Sequence, residues 1–128
     1  MTADVGFLWR RAENALRAAH DNLTLDPSTA GNRAYYAAFY AVSALFMVDG
    51  KLYRTHSAVE SAVHRDLVNA DRWPKNLGAV YRKLHELRRT ADYDMLRLLS
   101  REEAQEAVRL AEMIVAAVRE TCPDVAIE

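Results

Sequence analysis

The segment from Asn32 to Phe46 constrains the fold more than any other part of the chain. It reads NRAYYAAFYAVSALF, has no charge after Arg33 and contains no glycine or proline. It is long enough for about four helical turns, and most of its positions hold tyrosine, phenylalanine or alanine. A helix that is apolar nearly all round is buried on more than one side. In a chain of 128 residues, such a helix belongs to the centre of a bundle, to a subunit interface, or to both.

The size and composition of the chain favour one soluble domain. The length suits a single domain with a real core and is too short for two. The apolar share is 51% and the charged share 27%, which is ordinary for a globular protein. The longest apolar stretch, Ala34 to Val48, is too short to span a bilayer, and the first residues lack a signal-peptide pattern. We therefore expect one cytoplasmic domain over residues 1–128, with Cys122 as an isolated cysteine.

Charge is unevenly distributed along the chain, although the formal net charge is only −1. Residues 72–101 contain eight lysines and arginines against three acidic residues, whereas residues 102–128 contain two against seven. One interpretation is that two helices of complementary charge pack side by side. The other is that the basic segment forms a surface that meets phosphate.

Five helices are predicted, because apolar residues recur at helical spacing in five segments and no segment resembles a strand. They cover about residues 4–21, 28–48, 55–69, 74–93 and 101–121. Residues that favour helix starts precede four of these segments: Asp26, Thr55 or Ser57, Pro74 and Ser100. Ser57 has Glu60 at the capping-box spacing. Residues that favour helix ends, Gly50 and Pro123, follow the second and fifth segments. Since the loops are short, successive helices should pack antiparallel. The predicted fold class is all-α, an up-and-down antiparallel bundle of four to five helices.

Three segments resemble one known family. Asn32 to Ala41 is similar to the second helix of HEPN-domain proteins, the higher eukaryote and prokaryote nucleotide-binding family. Thr55 to Val59, which reads THSAV, resembles the start of that family's third helix, and Leu87 to Tyr93, which reads LRRTADY, resembles the end of the fourth. The resemblance covers about residues 4–118 and is strongest to the small stand-alone prokaryotic branch.

The resemblance implies a helical bundle that forms symmetric homodimers. Many members are ribonucleases and toxins of toxin–antitoxin pairs, and their usual partner is a minimal nucleotidyltransferase encoded alongside. In active members an arginine and a histidine of the fourth helix face their copies across the dimer, and a polar residue early in the second helix assists them. Here no arginine is followed by a histidine after four to six intervening residues. If Arg88 is the motif arginine, Tyr93 stands where the histidine is expected.

Arg88 and Tyr93 are the first candidate catalytic residues. Arg88 and Asp92 are four positions apart, so they can form a local ion pair while the Tyr93 hydroxyl points outward. Alternatively, Arg88 clamps a phosphate, which guanidinium binds in a bidentate manner, and Tyr93 donates a hydrogen bond or stacks on a base. A tyrosine with a pKa of about 10 is a poor general base at neutral pH. The usual acid–base pair is therefore missing.

His85 offers a displaced alternative, because Arg82, His85, Arg89 and Asp92 share one helical face. This face is either a solvated polar face, or a site in which His85 is the acid–base group and Arg82 or Arg89 stabilises the phosphate.

Two residues at the start of the second helix are further candidates. Asn32 either helps the helix begin or assists Arg88, and Arg33 either pairs with an acidic neighbour or binds phosphate. His56 is interpreted as a capping-region residue.

Several classes of site lack their sequence signatures. No H-E-x-x-H or C-x-x-C spacing is present, so we expect no metal. No glycine-rich phosphate loop is present, so we expect no cofactor. The aromatic residues of the second helix are interleaved with alanine, valine and leucine, which favours core or dimer packing over a base-stacking platform.

Three functional hypotheses follow. The first is a homodimeric interaction protein bound by a minimal nucleotidyltransferase, in one variant with Tyr93 as the acceptor of AMP. The second is a metal-independent RNA-cleaving toxin whose site combines Arg88, His85 or Tyr93, and Asn32 across the dimer. The third is a nucleotide- or substrate-binding module that assists a nucleotidyltransferase. None of the three involves a membrane.

Overall fold

The computed structural model describes residues 2–126, which fold into five α-helices without any strand. The helices are α1 (Thr2–Asp21), α2 (Pro27–Val48), α3 (His56–Ala62), α4 (Lys75–Tyr93) and α5 (Arg101–Thr121). A π-helical segment, Val63–Val68, directly extends α3, and a 3₁₀ turn, Pro123–Ala126, follows α5. The prediction of an all-α bundle is confirmed. No helix in the described range is long and apolar enough to cross a bilayer.

The central helix of the bundle is α2. It packs against α1, α4 and α5, and it also contacts α3. Many of its buried positions are alanines with no exposed surface: Ala30, Ala34, Ala37, Ala38, Ala41 and Ala44. Because the alanine side chain ends at Cβ, neighbouring helices can approach the α2 backbone closely. Larger side chains, among them Tyr35 and Phe46, fill the rest of the core around α2.

Side-chain caps fix the starts of three helices. Asp26 accepts a hydrogen bond from the backbone amide three residues on, at 3.2 Å. Thr55 does the same for α3, at 3.1 Å. Ser100 and Glu103 form the predicted capping box, with distances of 3.0 and 2.9 Å. These caps satisfy amides that have no partner within their own helix.

The Ser57 capping box predicted for the third helix does not form. Of the two predicted caps, Thr55 is the one used. The Glu60 carboxylate instead reaches across to His85 on α4. A residue that the sequence assigned to a helix end therefore belongs to a contact between helices.

The π-helical segment brings the end of the predicted third helix close to α4. The Asn69 amide donates to the His64 carbonyl, five residues back, at 2.8 Å, which is the hydrogen-bonding pattern of a π-helix. His64 packs against Gly78 of α4, where a Cβ atom would lie only 3.0 Å from His64 Nδ1. The glycine therefore permits this close approach. The third helix is not the uniform α-helix that the sequence predicted.

We expect the contacts around α2 to tolerate no larger side chain. Ala38→Leu adds a branched side chain at a site with no exposed surface, and it should lower the free energy of unfolding by about 1–3 kcal/mol. Urea denaturation followed by circular dichroism measures the change. Ala116→Leu on the exposed face of α5 is the matched control and should change stability by less than about 0.5 kcal/mol. An unchanged midpoint for the Ala38 variant would contradict close packing around α2.

Candidate functional site

Arg88 lies at the centre of a polar network near the end of α4. Only 8% of its surface is exposed. Its Nε donates to Asp92 at 2.8 Å, and its Nη2 donates to the hydroxyls of Tyr36 at 3.2 Å and Tyr93 at 3.3 Å. The local ion pair considered from the sequence is present. The Tyr93 hydroxyl, however, turns back onto the guanidinium instead of pointing outward.

Three tyrosine rings surround the Arg88 guanidinium. Its Cζ lies between 5.2 and 5.6 Å from the ring centres of Tyr35, Tyr36 and Tyr93, within the range of cation–π attraction. Burial opposes the charge, but Tyr36, Tyr93 and Asp92 outweigh it and raise the pKa of Arg88 above its usual value. Arg88 is therefore permanently charged, and the Asp92 carboxylate already neutralises that charge.

Asn32 connects the start of α2 to this network. Its Nδ2 donates to both carboxylate oxygens of Asp92, at 2.9 and 3.1 Å, and its Oδ1 accepts from Arg33 Nε at 2.9 Å. Arg33 has no carboxylate within 4.0 Å among residues 2–126, so it does not pair with an acidic neighbour there. The fold thus brings together Asn32, Arg88 and Tyr93.

His56 joins the same network, although its position in the sequence indicated only a capping region. Its Nδ1 lies 2.9 Å from the Tyr35 hydroxyl and its Nε2 lies 3.4 Å from the Tyr36 hydroxyl. Tyr36 therefore links the imidazole to Arg88. Burial, followed by the charges of Arg88 and His85, lowers the pKa of His56 from 6.5. The THSAV segment of the family resemblance was the one signal that could have identified this residue.

A second polar cluster lies in the groove between α3 and α4. His85 Nδ1 is 2.6 Å from Glu60 Oε1, and the imidazole stacks on the Tyr35 ring with 5.0 Å between centres. The other Glu60 oxygen is 4.0 Å from Arg82 Nε. Two cavities of about 290 and 270 Å³ share Glu60 and His85 in their walls, and Arg82 and Arg89 line the second. No cluster of three potential metal ligands occurs in the described part of the chain.

The predicted polar face of α4 comprised Arg82, His85, Arg89 and Asp92. The first three border the groove, whereas Asp92 belongs to the Arg88 network. Tyr35 lies between the two clusters, because its ring contacts both His85 and Arg88. Burial raises the pKa of Tyr35 to about 12, so its hydroxyl stays protonated at neutral pH. The single face expected from helical spacing is therefore two neighbouring sites.

Pairing with α5 explains only part of the basic segment over residues 72–101. Arg82 and Arg88 of α4 face Glu60 and Asp92, which are not on α5. Arg97, in the loop after α4, forms an ion pair with Glu103 of α5, at 2.7 Å. Arg109, and also the charge of Lys83 on α4, lower the pKa of Glu106 on α5. The simpler interpretation, complementary charge between two packed helices, therefore accounts for Arg97 and Lys83 but not for Arg82 or Arg88.

An apolar surface begins where α4 ends, and we call it the 93–98 segment. Its large apolar side chains are highly exposed: Tyr93 (67%), Met95 (96%), Leu96 (96%) and Leu98 (78%). On α2, the neighbouring rings of Tyr36, Phe39 and Tyr40 are only half-buried. The α2 helix is therefore not wholly enclosed by its own chain. The two surfaces adjoin, because Tyr36 and Tyr93 contact the same guanidinium.

Comparison with known proteins decides the family. The HEPN-domain family model matches residues 5–121. The chain belongs to the HEPN family. This HEPN protein is 36% identical over 96 residues to a UPF0332 protein from Thermotoga maritima, in an alignment that covers 75% of this chain and 73% of the relative. It is also similar to the crystal structure of TT1696 from Thermus thermophilus, with a TM-score of 0.78 and 26% identity over 91% of this chain and 97% of that one.

We expect His56 to titrate below its ordinary pKa of 6.5. A histidine whose folded pKa is lowered binds fewer protons than it does in the unfolded chain. Stability should therefore decrease as the pH falls below 6.5, and the loss should level off below the folded pKa.

An NMR titration of the His56 ring measures this pKa in the wild type and in two variants. Arg88→Gln removes one of the charges that lower it and should move the pKa back towards 6.5. Arg109→Gln, on the exposed face of α5, is the control and should leave it unchanged. A wild-type His56 that titrates above 6.5 would contradict the described burial.

Proposed function

We propose that this HEPN protein is a homodimer that acts mainly through protein interaction, as one component of a toxin–antitoxin pair with a minimal nucleotidyltransferase. The observation that carries the proposal is the 93–98 segment, where four large apolar side chains are between 67% and 96% exposed. A monomer in water rarely keeps several large apolar side chains this exposed within six residues. The half-buried aromatic rings of α2 extend the surface on one side, which suits a self-complementary interface.

The state of Arg88 supports binding over catalysis. Asp92 already neutralises its charge, and two tyrosine hydroxyls accept from the same guanidinium nitrogen. An RNA phosphate at this position would have to compete with that carboxylate. The nearest imidazole in the network, His56, faces tyrosine hydroxyls with both ring nitrogens, so it has no free nitrogen for proton transfer.

Tyr93 supports a regulatory role for the partner. Its ring is 67% exposed, and its hydroxyl lies 3.3 Å from Arg88 Nη2. A nucleotidyltransferase can transfer AMP from ATP to this oxygen, with loss of the hydroxyl proton and release of pyrophosphate. The neighbouring guanidinium would then stabilise the new phosphodiester charge. An unshifted mass after co-expression with the partner would argue against this variant.

The second candidate function is a metal-independent endoribonuclease, and the 2.6 Å contact between Glu60 and His85 favours it. A carboxylate bonded to one ring nitrogen fixes the tautomer and the orientation of the imidazole. The other nitrogen can then remove the proton from an RNA 2′-hydroxyl, which attacks the adjacent phosphorus and expels the 5′-oxygen. Arg82 and Arg89 line the same groove and would stabilise the charge that develops on the phosphate.

Replacing apolar residues of the 93–98 segment with charged ones should dissociate the dimer. The double variant Met95→Asp, Leu96→Asp changes two positions that are each 96% exposed, so the chain should fold normally. Sedimentation equilibrium should show a dimer for the wild type and a monomer for this variant. Leu25→Asp, which alters a residue 82% exposed between α1 and α2, is the matched control and should remain dimeric.

The partner is tested on the same proteins by capture from the native host. The wild type should recover a nucleotidyltransferase encoded next to it. The double variant should bind that partner about tenfold or more weakly, because the proposed partner binds the assembled dimer. A wild-type protein that is monomeric at micromolar concentration would overturn the dimer. A neighbourhood that encodes no nucleotidyltransferase would overturn the pair.

The ribonuclease candidate predicts cleavage of a labelled RNA by excess protein in the presence of a chelator. His85→Ala should lower the rate by about 10²–10⁴-fold, because it removes the acid–base group. Glu60→Gln should lower it less, and Arg109→Gln on α5 should leave it unchanged. Cleavage that survives both groove variants would contradict the site. Absence of cleavage by the wild type would contradict the activity and leave the interaction proposal intact.

A further inference from the structure

Arginine and tyrosine side chains meet along the cleft between α1 and α2, outside the Arg88 network. Arg11 on α1 donates to the Tyr40 hydroxyl at 2.8 Å, and its Cζ lies 4.4 Å from the centre of the Tyr40 ring. Arg33 on α2 lies over the Tyr36 ring at 4.9 Å. The two tyrosine rings are 5.7 Å apart. Along the sequence these aromatics have few basic neighbours, but the fold places a cation from α1 beside them.

Arg11 and Arg33 differ from the arginines that pair with acids. Such pairs join Arg65 to Asp66, Arg72 to Asp49, Arg88 to Asp92, Arg97 to Glu103 and Arg109 to Glu106. Neither Arg11 nor Arg33 has a carboxylate oxygen within 4.0 Å among the residues that the structure describes. Neutral oxygens of Tyr40 and Asn32 hold them instead. Both therefore keep an uncompensated charge and several free N–H donors.

The two arginines line a cavity of about 190 Å³. Its other lining residues are Asn14, Ala15, Ala18 and Tyr40, so no acidic side chain forms part of the wall. The Asn14 amide oxygen accepts from Arg17 at 2.9 Å, which leaves the Asn14 NH₂ group as a further donor. The cavity is thus rich in hydrogen-bond donors and positively charged.

We propose that this cleft binds a phosphate group carried by a nucleotide, either free or within a single strand of RNA. Two guanidinium groups from different helices present several donors to a tetrahedral anion, whose oxygens point in different directions. A carboxylate, by contrast, has two oxygens in one plane, and a single guanidinium group can donate to both of them. The tyrosine contacts also hold both arginines in place before the ligand arrives, which reduces the entropy lost on binding.

The cleft continues into the candidate functional site through Tyr36. Arg33 and Arg88 lie 4.9 and 5.5 Å from the centre of that same ring, and Asn32 contacts Arg33 as well as the partner of Arg88. A strand with one phosphate in the cleft would therefore pass beside Arg88. The cleft is separate from the His85 groove, because Arg11 and Arg33 line neither cavity of that groove. It shares the Tyr36 and Tyr40 rings with the surface proposed for the dimer, and Arg11 of α1 distinguishes it from that surface.

The test is calorimetric titration of the full chain with inorganic phosphate, AMP and a short oligoadenylate at low ionic strength. Arg11→Gln and Arg33→Gln should each weaken binding by about tenfold or more, since each removes charge-assisted hydrogen bonds. Arg33→Lys should be intermediate, because it keeps the charge and loses the planar fork. Arg109→Gln removes one arginine charge on α5 and should stay within about twofold of the wild type. Thermal melts confirm that each variant is folded.

The three ligands distinguish the two sources of phosphate. Binding of AMP with this dependence on the arginines shows that a free nucleotide suffices, whereas binding of the oligoadenylate alone identifies the strand. The proposal is overturned if no phosphate compound binds, if Arg11→Gln and Arg33→Gln leave the affinity unchanged, if the control weakens it equally, or if an acidic peptide binds more tightly. Sedimentation of the same samples tests the dimer proposal independently. A protein that is dimeric but binds no phosphate compound would overturn only the proposed phosphate site in the cleft.

Discussion

Close contact between α2 and its neighbours is the constraint on which the rest of the structure depends. A row of fully buried alanines lets α1, α4 and α5 lie against the α2 backbone. At that separation, side chains of different helices reach each other directly: Arg88 of α4 contacts Tyr36 of α2 at 3.2 Å, and His56 at the start of α3 contacts Tyr35 at 2.9 Å. Bulkier residues would force the helices apart, and contacts of this length would be lost. The polar site is therefore a product of the apolar packing beneath it.

Tyr35 separates two kinds of chemistry within a small volume. On one side, Arg88 is closed off by tyrosine rings and by the Asp92 carboxylate, which also accepts from the Asn32 amide. This arrangement suits rigidity and recognition. On the other side, the Glu60–His85 pair borders an open groove, an arrangement that suits proton transfer. The buried phenol keeps its proton, so a neutral ring lies between the pair and the guanidinium. Family membership alone does not choose between these sites, because the family's usual arginine–histidine spacing is absent from this chain.

The sequence was sufficient for the features that depend on local spacing. The composition of α2, the caps at Asp26 and Ser100 and the pair of Arg88 with Asp92 four residues on were all readable in this way. Contacts between helices were not. Tyr35 contacts His56, 21 residues further along the chain, and Arg11 contacts Tyr40, 29 residues further along. Such contacts form only when each helix has a defined rotation and crossing angle. The spacing of residues along one sequence fixes neither. The π-helical turn could not be predicted for the same reason. It accompanies the packing of His64 against Gly78, a contact between helices that leaves no periodic pattern in the sequence.

Because of the π-helical segment Val63–Val68, the shape of the groove depends on the number of residues in that segment as well as on which side chains line the groove. A turn closed by a hydrogen bond to the fifth residue back accommodates one more residue than an α-helical turn. Loss of a single codon there would restore the ordinary helical repeat, and the side chains within the segment would change direction relative to α4. His64 would then leave its seat on Gly78, and one wall of the groove would be rebuilt. A lineage could therefore abandon this groove in one genetic step while keeping every polar side chain that lines it.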